Sequence, residues 1–136
     1  MSASWALQQA VFAELAANDA VQEAFGDPPR VFDVAPRGAV FPYCVIGDDT
    51  MSDWSTATET GSEHLLEIRV WSRAGGHREA KLAASAVQDA LDGATLAVDG
   101  ETLIDIRHLG TAFTRESDGE TIRAAVRFRA VMEESE

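Results

Sequence analysis

Apolar residues recur every three or four positions in two stretches of the chain, which is the spacing of one face of a helix. The first stretch, residues 5–17, carries Leu7, Val11 and Leu15, and the second, residues 77–91, carries an alanine-rich stripe. Both stretches predict amphipathic helices. Asp19, followed by Gln22, resembles a capping box, so a short helical turn is expected to run to Phe25.

Other segments consist of β-prone residues or alternate apolar and polar residues, as strands with one buried face do. The last of them is the most regular, because Ile122, Val126 and Phe128 fall on one side of it. The predicted strands are residues 30–34, 43–46, 63–71, 95–98, 103–113 and 121–132.

Short turns between successive strands favour antiparallel pairing, and two amphipathic helices need a sheet face to cover. The expected fold is therefore α+β, a mostly antiparallel sheet with two amphipathic helices packed on one face. The length suits a single domain over residues 1–136, in which the acidic tail 133–136 is expected to be disordered.

A long polar segment, residues 48–63, separates two predicted strands and contains one large aromatic, Trp54. It is expected to form a protruding loop or hairpin, because loops of this length are commonly functional. It could be a flexible arm in which Trp54 anchors into a partner. The alternation of Thr56 and Thr58 fits a long hairpin equally well, and Trp54 could also fold back onto its own sheet.

The net charge is −12, from 23 acidic and 11 basic residues. A surface built for nucleic acid needs clustered Lys and Arg, so the overall charge argues against that class of protein. The first ten residues lack the basic and apolar regions of a signal peptide, and the sequence offers no apolar run of spanning length. We therefore expect no membrane partner, and a protein that is located in the cytoplasm or assembled there.

A local basic stripe stands out in this acidic chain. Arg123, Arg127 and Arg129 share the strand face opposite the apolar residues. They could pair with Asp105 or Glu67 on neighbouring strands, or dock against acidic surface on another subunit. Contact with nucleic acid is a third interpretation.

The sequence shows no recognisable catalytic or metal-binding motif. Cys44, the single cysteine, lies within an apolar strand and is expected to be a small buried residue. The histidines, His64, His77 and His108, lack the spacing of a metal site, and the aspartates within residues 48–53 do not match an EF-hand loop.

Four segments together resemble a known family. They are FPYCVIGDDT (41–50), DWSTATETGSEHLLEIRVWSRAGG (53–76), EAKLAASAVQDAL (79–91) and LIDIRHLGTAFTRESDGETIRAAVRFRA (103–130). In this order they resemble the small tail-completion proteins of long-tailed phages, which are similar to the tail terminators of phages and gene transfer agents. The resemblance covers nearly the whole chain, from about Leu7 to Ala130.

The resemblance implies a structural virion protein rather than an enzyme, with no catalytic residues and no cofactor. Such proteins form a ring, typically a hexamer, that caps the tail tube, ends its polymerisation and provides the surface for head attachment. The implied partners are further copies of the chain, the tail tube protein and a head–tail connector or stopper protein, while DNA passes through the channel without specific binding.

Two alternatives remain: a head–tail stopper or adaptor of the same particle, and a small ligand-binding domain or enzyme. The candidate subunit or tube contacts are Trp54, Thr56, Thr58, Trp71, Arg73, Arg123, Arg127 and Arg129.

Overall fold

Helices and strands account for most of the chain in the computed structural model, which describes residues 2–135. The elements in chain order are α1 (Ala3–Ala17), α2 (Asp19–Phe25), β1 (Val31–Phe32), β2 (Tyr43–Asp53), β3 (Gly61–Ser72), α3 (Arg78–Leu91), β4 (Glu101–Arg115) and β5 (Ile122–Glu134). None of these helices has the combination of length and apolarity that crossing a bilayer requires.

The five strands form one sheet in the order β1-β2-β3-β5-β4. Every neighbouring pair is antiparallel except β1 and β2, which run parallel. The helices pack on one face of this sheet, with α3 contacting β3, β4 and β5. The predicted α+β class is confirmed.

The break between α1 and α2 depends on Asn18. Its backbone N–H donates to the carbonyl of Leu15 at the end of α1, and its side-chain oxygen accepts from the N–H of Val21 at the start of α2. Asn18, not Asp19, is therefore the residue that caps α2. Gln22 donates to the carbonyl of Ala16 instead of completing the predicted capping box.

The strand predicted at residues 95–98 was wrong. Leu96 and Val98 are buried, as alternation suggested, but the segment is irregular. The N–H of Gly93, just after α3, donates a hydrogen bond to the carbonyl of Ile106 on the nearby edge of β4. The turn at Asp99 and Gly100 therefore joins an irregular segment to β4 rather than closing a hairpin.

The polar segment 48–63 is largely strand. β2 continues to Asp53 and β3 begins at Gly61, with a register shift between Ile46 and Asp49. The hairpin interpretation thus describes the segment, and only residues 54–60 form its tip. The tail 133–136 was expected to be disordered, but its first two residues belong to β5, which pairs with β4 as far as Glu134. Residue 136 lies outside the described residues.

The core lies between the sheet and the helices. The inward-facing residues of β5 are completely buried: Ile122, Ala124, Val126, Phe128, Ala130 and Met132. Opposite them, α3 presents the predicted stripe of small residues, Ala80, Ala83, Ala84, Val87 and Leu91. Burying each large apolar side chain contributes about 1.5–3 kcal/mol, so this face supplies most of the stability. The helix α1 also exposes apolar side chains, Trp5 and Phe12, on its outer side.

Candidate interaction surfaces

The second face of the sheet, here called the open face, is not covered by any helix of residues 2–135. Its centre carries ion pairs between β3 and β5, which lie side by side in register. The Nε of Arg127 lies 3.0 Å from Glu67 Oε1, and the Nε of Arg129 lies 2.6 Å from Glu63 Oε2. The open face is thus charged but largely compensated.

Glu67 is the most connected carboxylate on this face. Its second oxygen accepts from Arg69 at 2.6 Å, and Arg69 in turn contacts Asp48 at 3.2 Å. Burial disfavours ionisation of Glu67, but the hydrogen bonds from Arg69 and Arg127 outweigh it and lower the pKa of the carboxyl. Glu67 therefore stays ionised as the centre of a charge network.

The arginines of the predicted basic stripe lie on one face, as expected, but each of them is paired with a carboxylate. Arg123, Arg127 and Arg129 all lie on the open face, and each contacts a carboxylate, since the Nε of Arg123 is 3.1 Å from Glu116 Oε1. This geometry favours the cross-strand interpretation, and Glu67 was correctly named as one partner. Asp105 instead pairs with Arg107 on its own strand. Docking of the stripe against another subunit stays a prediction.

The open face also carries exposed apolar residues. Leu65 and Leu109 line a shallow depression of about 400 Å³, rimmed by the ion pair of Arg69 and Asp48. Leu109 lies where β4 shifts register against β5, and Ile104 lies at a second such shift. Sequence reasoning missed Leu109 and Ile104, because a bulge turns a side chain out of the strand alternation without a clear local signal.

The hairpin tip holds three of the predicted contacts, Trp54, Thr56 and Thr58. The Trp54 N–H donates to the Gly61 carbonyl at 3.0 Å, and the Thr56 hydroxyl oxygen accepts from the N–H of Glu59 at 3.0 Å. These local bonds give the tip a defined shape rather than that of a flexible loop. The Trp54 side chain remains 42% exposed.

Gly61 allows the tip to close tightly. A Cβ added there would lie 2.9 Å from the Trp54 carbonyl oxygen and 3.3 Å from Trp54 Cε3. The indole therefore rests with one edge over Gly61, and part of its surface faces outward. Trp54 is partly folded back, but not buried.

At the opposite end of the sheet, arginines and aromatic rings form what we call the arginine–aromatic cluster. Trp71 stacks on Tyr43 with ring centroids 6.4 Å apart, and Phe41 lies 5.0 Å from Tyr43. The guanidinium of Arg73 lies 4.4 Å above the Phe41 ring, and that of Arg123 lies 5.9 Å from the Trp71 ring.

Three predicted contacts, Trp71, Arg73 and Arg123, thus come together in this cluster. Phe41 and Tyr43 belong to it as well but were not predicted as contacts. Their sequence signal, an aromatic on each side of a proline, does not reveal the register of β2 against β3 that brings Tyr43 beside Trp71.

The end of the sheet that holds the hairpin tip is here called the acidic end. There the tip, the start of β4 and the end of β5 meet, since the N–H of Glu134 donates to the Thr60 carbonyl and that of Ser135 to the Gly100 carbonyl. The segments that form it, residues 50–62, 94–104 and 130–135, contain no lysine or arginine. The carboxylates at this end are Asp53, Glu59, Asp99, Glu101, Glu133 and Glu134.

The residues weighed for chemistry do not form a reactive site. Cys44 is completely buried, and burial raises the pKa of its thiol to about 12, which keeps it protonated. His64 is also buried, with Nε2 2.8 Å from the Ser62 hydroxyl; burial lowers its pKa despite the nearby charge of Asp49. His108 contacts the Thr111 hydroxyl at 2.7 Å.

The three aspartates of residues 48–53 have separate partners. Asp48 contacts Arg69, Asp49 accepts from the Ser4 hydroxyl, and Asp53 accepts from the Ser55 hydroxyl. Within residues 2–135, no group of three His, Cys, Asp or Glu side chains is arranged to hold a metal ion.

Comparisons with known proteins address the chain as a whole. The family described as tail completion protein gp17 matches residues 9–133. A chain from the solved structure of the virion of a native gene transfer agent particle is 32% identical, with a TM-score of 0.89, and the match covers 97% of this chain and 98% of that one. No curated protein matches. The resemblance predicted from the sequence is confirmed, and the chain belongs to the family of the tail completion protein gp17.

Proposed function

We propose that this chain is a structural tail protein of a phage or gene transfer agent particle that assembles into a ring, a hexamer, at the head-proximal end of the tail. The ring caps the tail tube, ends its polymerisation and offers the surface to which the head attaches. The observation that carries this proposal is the end-to-end match with a chain of a gene transfer agent virion, together with membership of a tail completion family.

The architecture supports a role in assembly. One face of the sheet is covered by helices, while the other face and both sheet ends hold exposed or half-buried aromatic and charged residues. Trp, Tyr and Arg are the residue types most enriched at the energetic centres of protein interfaces. Trp54, Trp71 and Arg73 are therefore candidate contacts to sister subunits, the tail tube protein or a head–tail connector protein.

The charge distribution fits a channel through which DNA slides. The chain has a net charge of −12, and the arginines at the centre of the open face contact carboxylates. Phosphate binding requires cations free to replace counterions, so these surfaces do not favour DNA binding. In the proposed ring, DNA passes without specific contacts.

A structural role also accounts for the inert residues. The buried thiol of Cys44 and the buried imidazole of His64 pack within the fold. We expect Cys44→Ala and His64→Ala variants that remain folded to assemble normally. Loss of function in a folded Cys44→Ala variant would favour an enzyme or a ligand-binding domain instead.

Assembly of the purified protein tests the proposal. Light scattering and negative-stain images, with and without purified tail tubes, should show rings alone or rings at tube ends. Monomers under both conditions would contradict the ring. Binding to the connector but not to tubes would favour a stopper or adaptor.

Trp54 provides a residue-level test. Trp54→Ala should weaken ring formation strongly while changing the melting temperature little, because the side chain is largely outside the core. Trp5, 50% exposed on α1, is the matched control, since Trp5→Ala removes a similar side chain from a helix rather than from the hairpin tip. Equal effects of the two substitutions on assembly would show that Trp54 is not part of the contact.

A further inference from the structure

The acidic end carries charge that the fold does not compensate. None of its six carboxylates takes part in an ion pair with another of residues 2–135. Glu101 and Glu134 even face each other in register on β4 and β5. Burial and the neighbouring charge of Glu134 raise the pKa of Glu101, so the monomer tolerates repulsion here.

The opposite end of the sheet holds several arginines, together with carboxylates of the turn between β4 and β5. Arg73 and Arg123 lie in the arginine–aromatic cluster, and Arg30, Arg78 and Arg115 lie near the same end, beside β1, α3 and the end of β4. Among residues 2–135, these last three make no ion pair with a carboxylate. The two ends of one chain are therefore unlike in charge.

Each end also offers what the other lacks in shape and chemistry. The acidic end projects the half-exposed indole of Trp54 on a tight tip that local hydrogen bonds hold in place. The cluster presents two guanidiniums that each lie over one aromatic ring, with the Arg73 side chain 45% exposed. A guanidinium stacked on one ring can accept a second ring on its free face.

We propose that copies of this chain bind one another end to end, with the hairpin tip of one copy docking on the arginine–aromatic cluster of the next. Trp54 stacks against Arg73 or Arg123, while Asp53 and Glu59 approach the cations around them. This inference rests on the proposed ring and names the surfaces that form it.

Such a contact is heterologous, because it joins two different surfaces of the same chain. Every copy has one acidic end and one arginine–aromatic cluster, so copies can be added until the hairpin tip of the last copy binds the cluster of the first. Rotation between successive copies then closes a ring rather than a filament. The arrangement also shows how a chain of net charge −12 can self-associate, since the contact joins its most acidic surface to a surface that carries arginines.

Charge reversal at each end tests the contact. The tip variant combines Asp53→Arg with Glu59→Arg, and the cluster variant combines Arg73→Glu with Arg123→Glu. Each variant alone should self-associate about 100-fold more weakly than the wild type, because it brings like charges together across the contact. Sedimentation velocity over a concentration series gives the association constant.

Mixing the two variants is the decisive arm. The wild-type acidic tip of the cluster variant should bind the wild-type cluster of the tip variant. The reversed tip should also find the reversed cluster, so the mixture should restore rings. A control variant, Glu23→Arg with Asp89→Arg, makes the same change in net charge as the tip variant but on the helical side, and it should assemble normally.

A folding defect must be separated from a lost contact. Arg73 and Arg123 also contact Asp118 and Glu116 within the monomer, so reversal there also places like charges together inside the chain. The neutral pair Arg73→Gln with Arg123→Gln is therefore made in parallel, and its melting temperature is recorded. It should weaken association, though less than reversal does, in a folded monomer.

The outcomes distinguish this inference from the proposed function. Rings that form equally well in the tip variant and in a folded cluster variant would overturn the end-to-end contact while leaving the ring intact. Loss of tube binding in the tip variant, with rings unchanged, would assign the acidic end to a basic surface of the tube instead. Wild-type protein that forms no ring, with or without tubes, would overturn both proposals.

Discussion

The helix-covered face and the open face of the same sheet differ in composition and in what they contribute to the protein. The covered face is apolar, and its β5 residues from Ile122 to Met132 are completely buried. The open face alternates carboxylates and guanidiniums that pair across β3 and β5, with exposed Leu65 and Leu109 between them. Burial of apolar area dominates folding stability, whereas partly exposed ion pairs contribute little. The covered face therefore stabilises the subunit, and the open face and sheet ends are available for assembly.

The substitution expected to have the largest effect on this contrast is Phe128→Ala. Removing this fully buried ring should lower the free energy of unfolding by about 3–5 kcal/mol, because the lost burial and the remaining cavity both destabilise the fold. Leu65→Ala, a truncation on the open face of the neighbouring strand, is the matched control. Chemical denaturation should show a much smaller change for Leu65, and similar changes in the two variants would refute the division between the faces.

Gly61→Ala tests the tight closure of the hairpin tip. The added Cβ would approach the backbone oxygens of Trp54 and Met132 at 2.9 and 3.1 Å, so the backbone has to shift. We expect a loss of about 1–3 kcal/mol in the free energy of unfolding, as for other overpacked sites. Gly110→Ala, where a Cβ would meet no atom within 4 Å, is the control and should melt near the wild-type temperature.

His64 should make stability depend on pH to a smaller extent. Burial lowers the pKa of its imidazole below the ordinary 6.5, so the unfolded chain takes up a proton before the folded chain does. The free energy of unfolding should therefore fall as the pH drops below about 6.5, until the lowered pKa is reached.

The measurement for His64 is a series of denaturation curves across this pH range. A His64→Gln variant should lack the decrease, and His77→Gln, at an exposed position, controls for the loss of an imidazole elsewhere. An unchanged slope in the His64 variant would show that other groups cause it.

The smallest expected effect is that of Glu67→Gln. This change removes the charge that Arg69 and Arg127 share, and partly exposed ion pairs contribute about 1 kcal/mol or less each. Denaturation should show only a modest loss of stability, and Glu120→Gln, at an exposed position, should show none. A loss comparable to that of Phe128→Ala would mean that the open face is part of the folding core.

The covered face was the most predictable part of the fold. Strict alternation in β5 and the alanine stripe of α3 identified the buried residues, because burial imposes a period on the sequence. The short strand at residues 95–98 was wrong for the same reason: Leu96 and Val98 are buried in alternation, yet within residues 2–135 the segment does not pair with any strand of the sheet. The spacing of apolar residues indicates which positions are buried, whereas strand pairing depends on the position of the other strands in the sheet.

The candidate surfaces were only partly predictable. The polarity of residues 48–53 hid the extension of β2, because neither face of a strand needs apolar residues where it leaves the core. The shared face of Arg123, Arg127 and Arg129 followed from alternation alone. Their carboxylate partners depended on register between distant strands, such as Arg129 opposite Leu65, which no local pattern contains.

The most direct test of the proposed function is electron microscopy of particles made by a host in which the coding sequence of this chain is deleted. If the chain ends tube growth and provides the head attachment surface, tails should be longer than in the wild type, variable in length and without heads. Heads joined to tails of normal length would contradict the account.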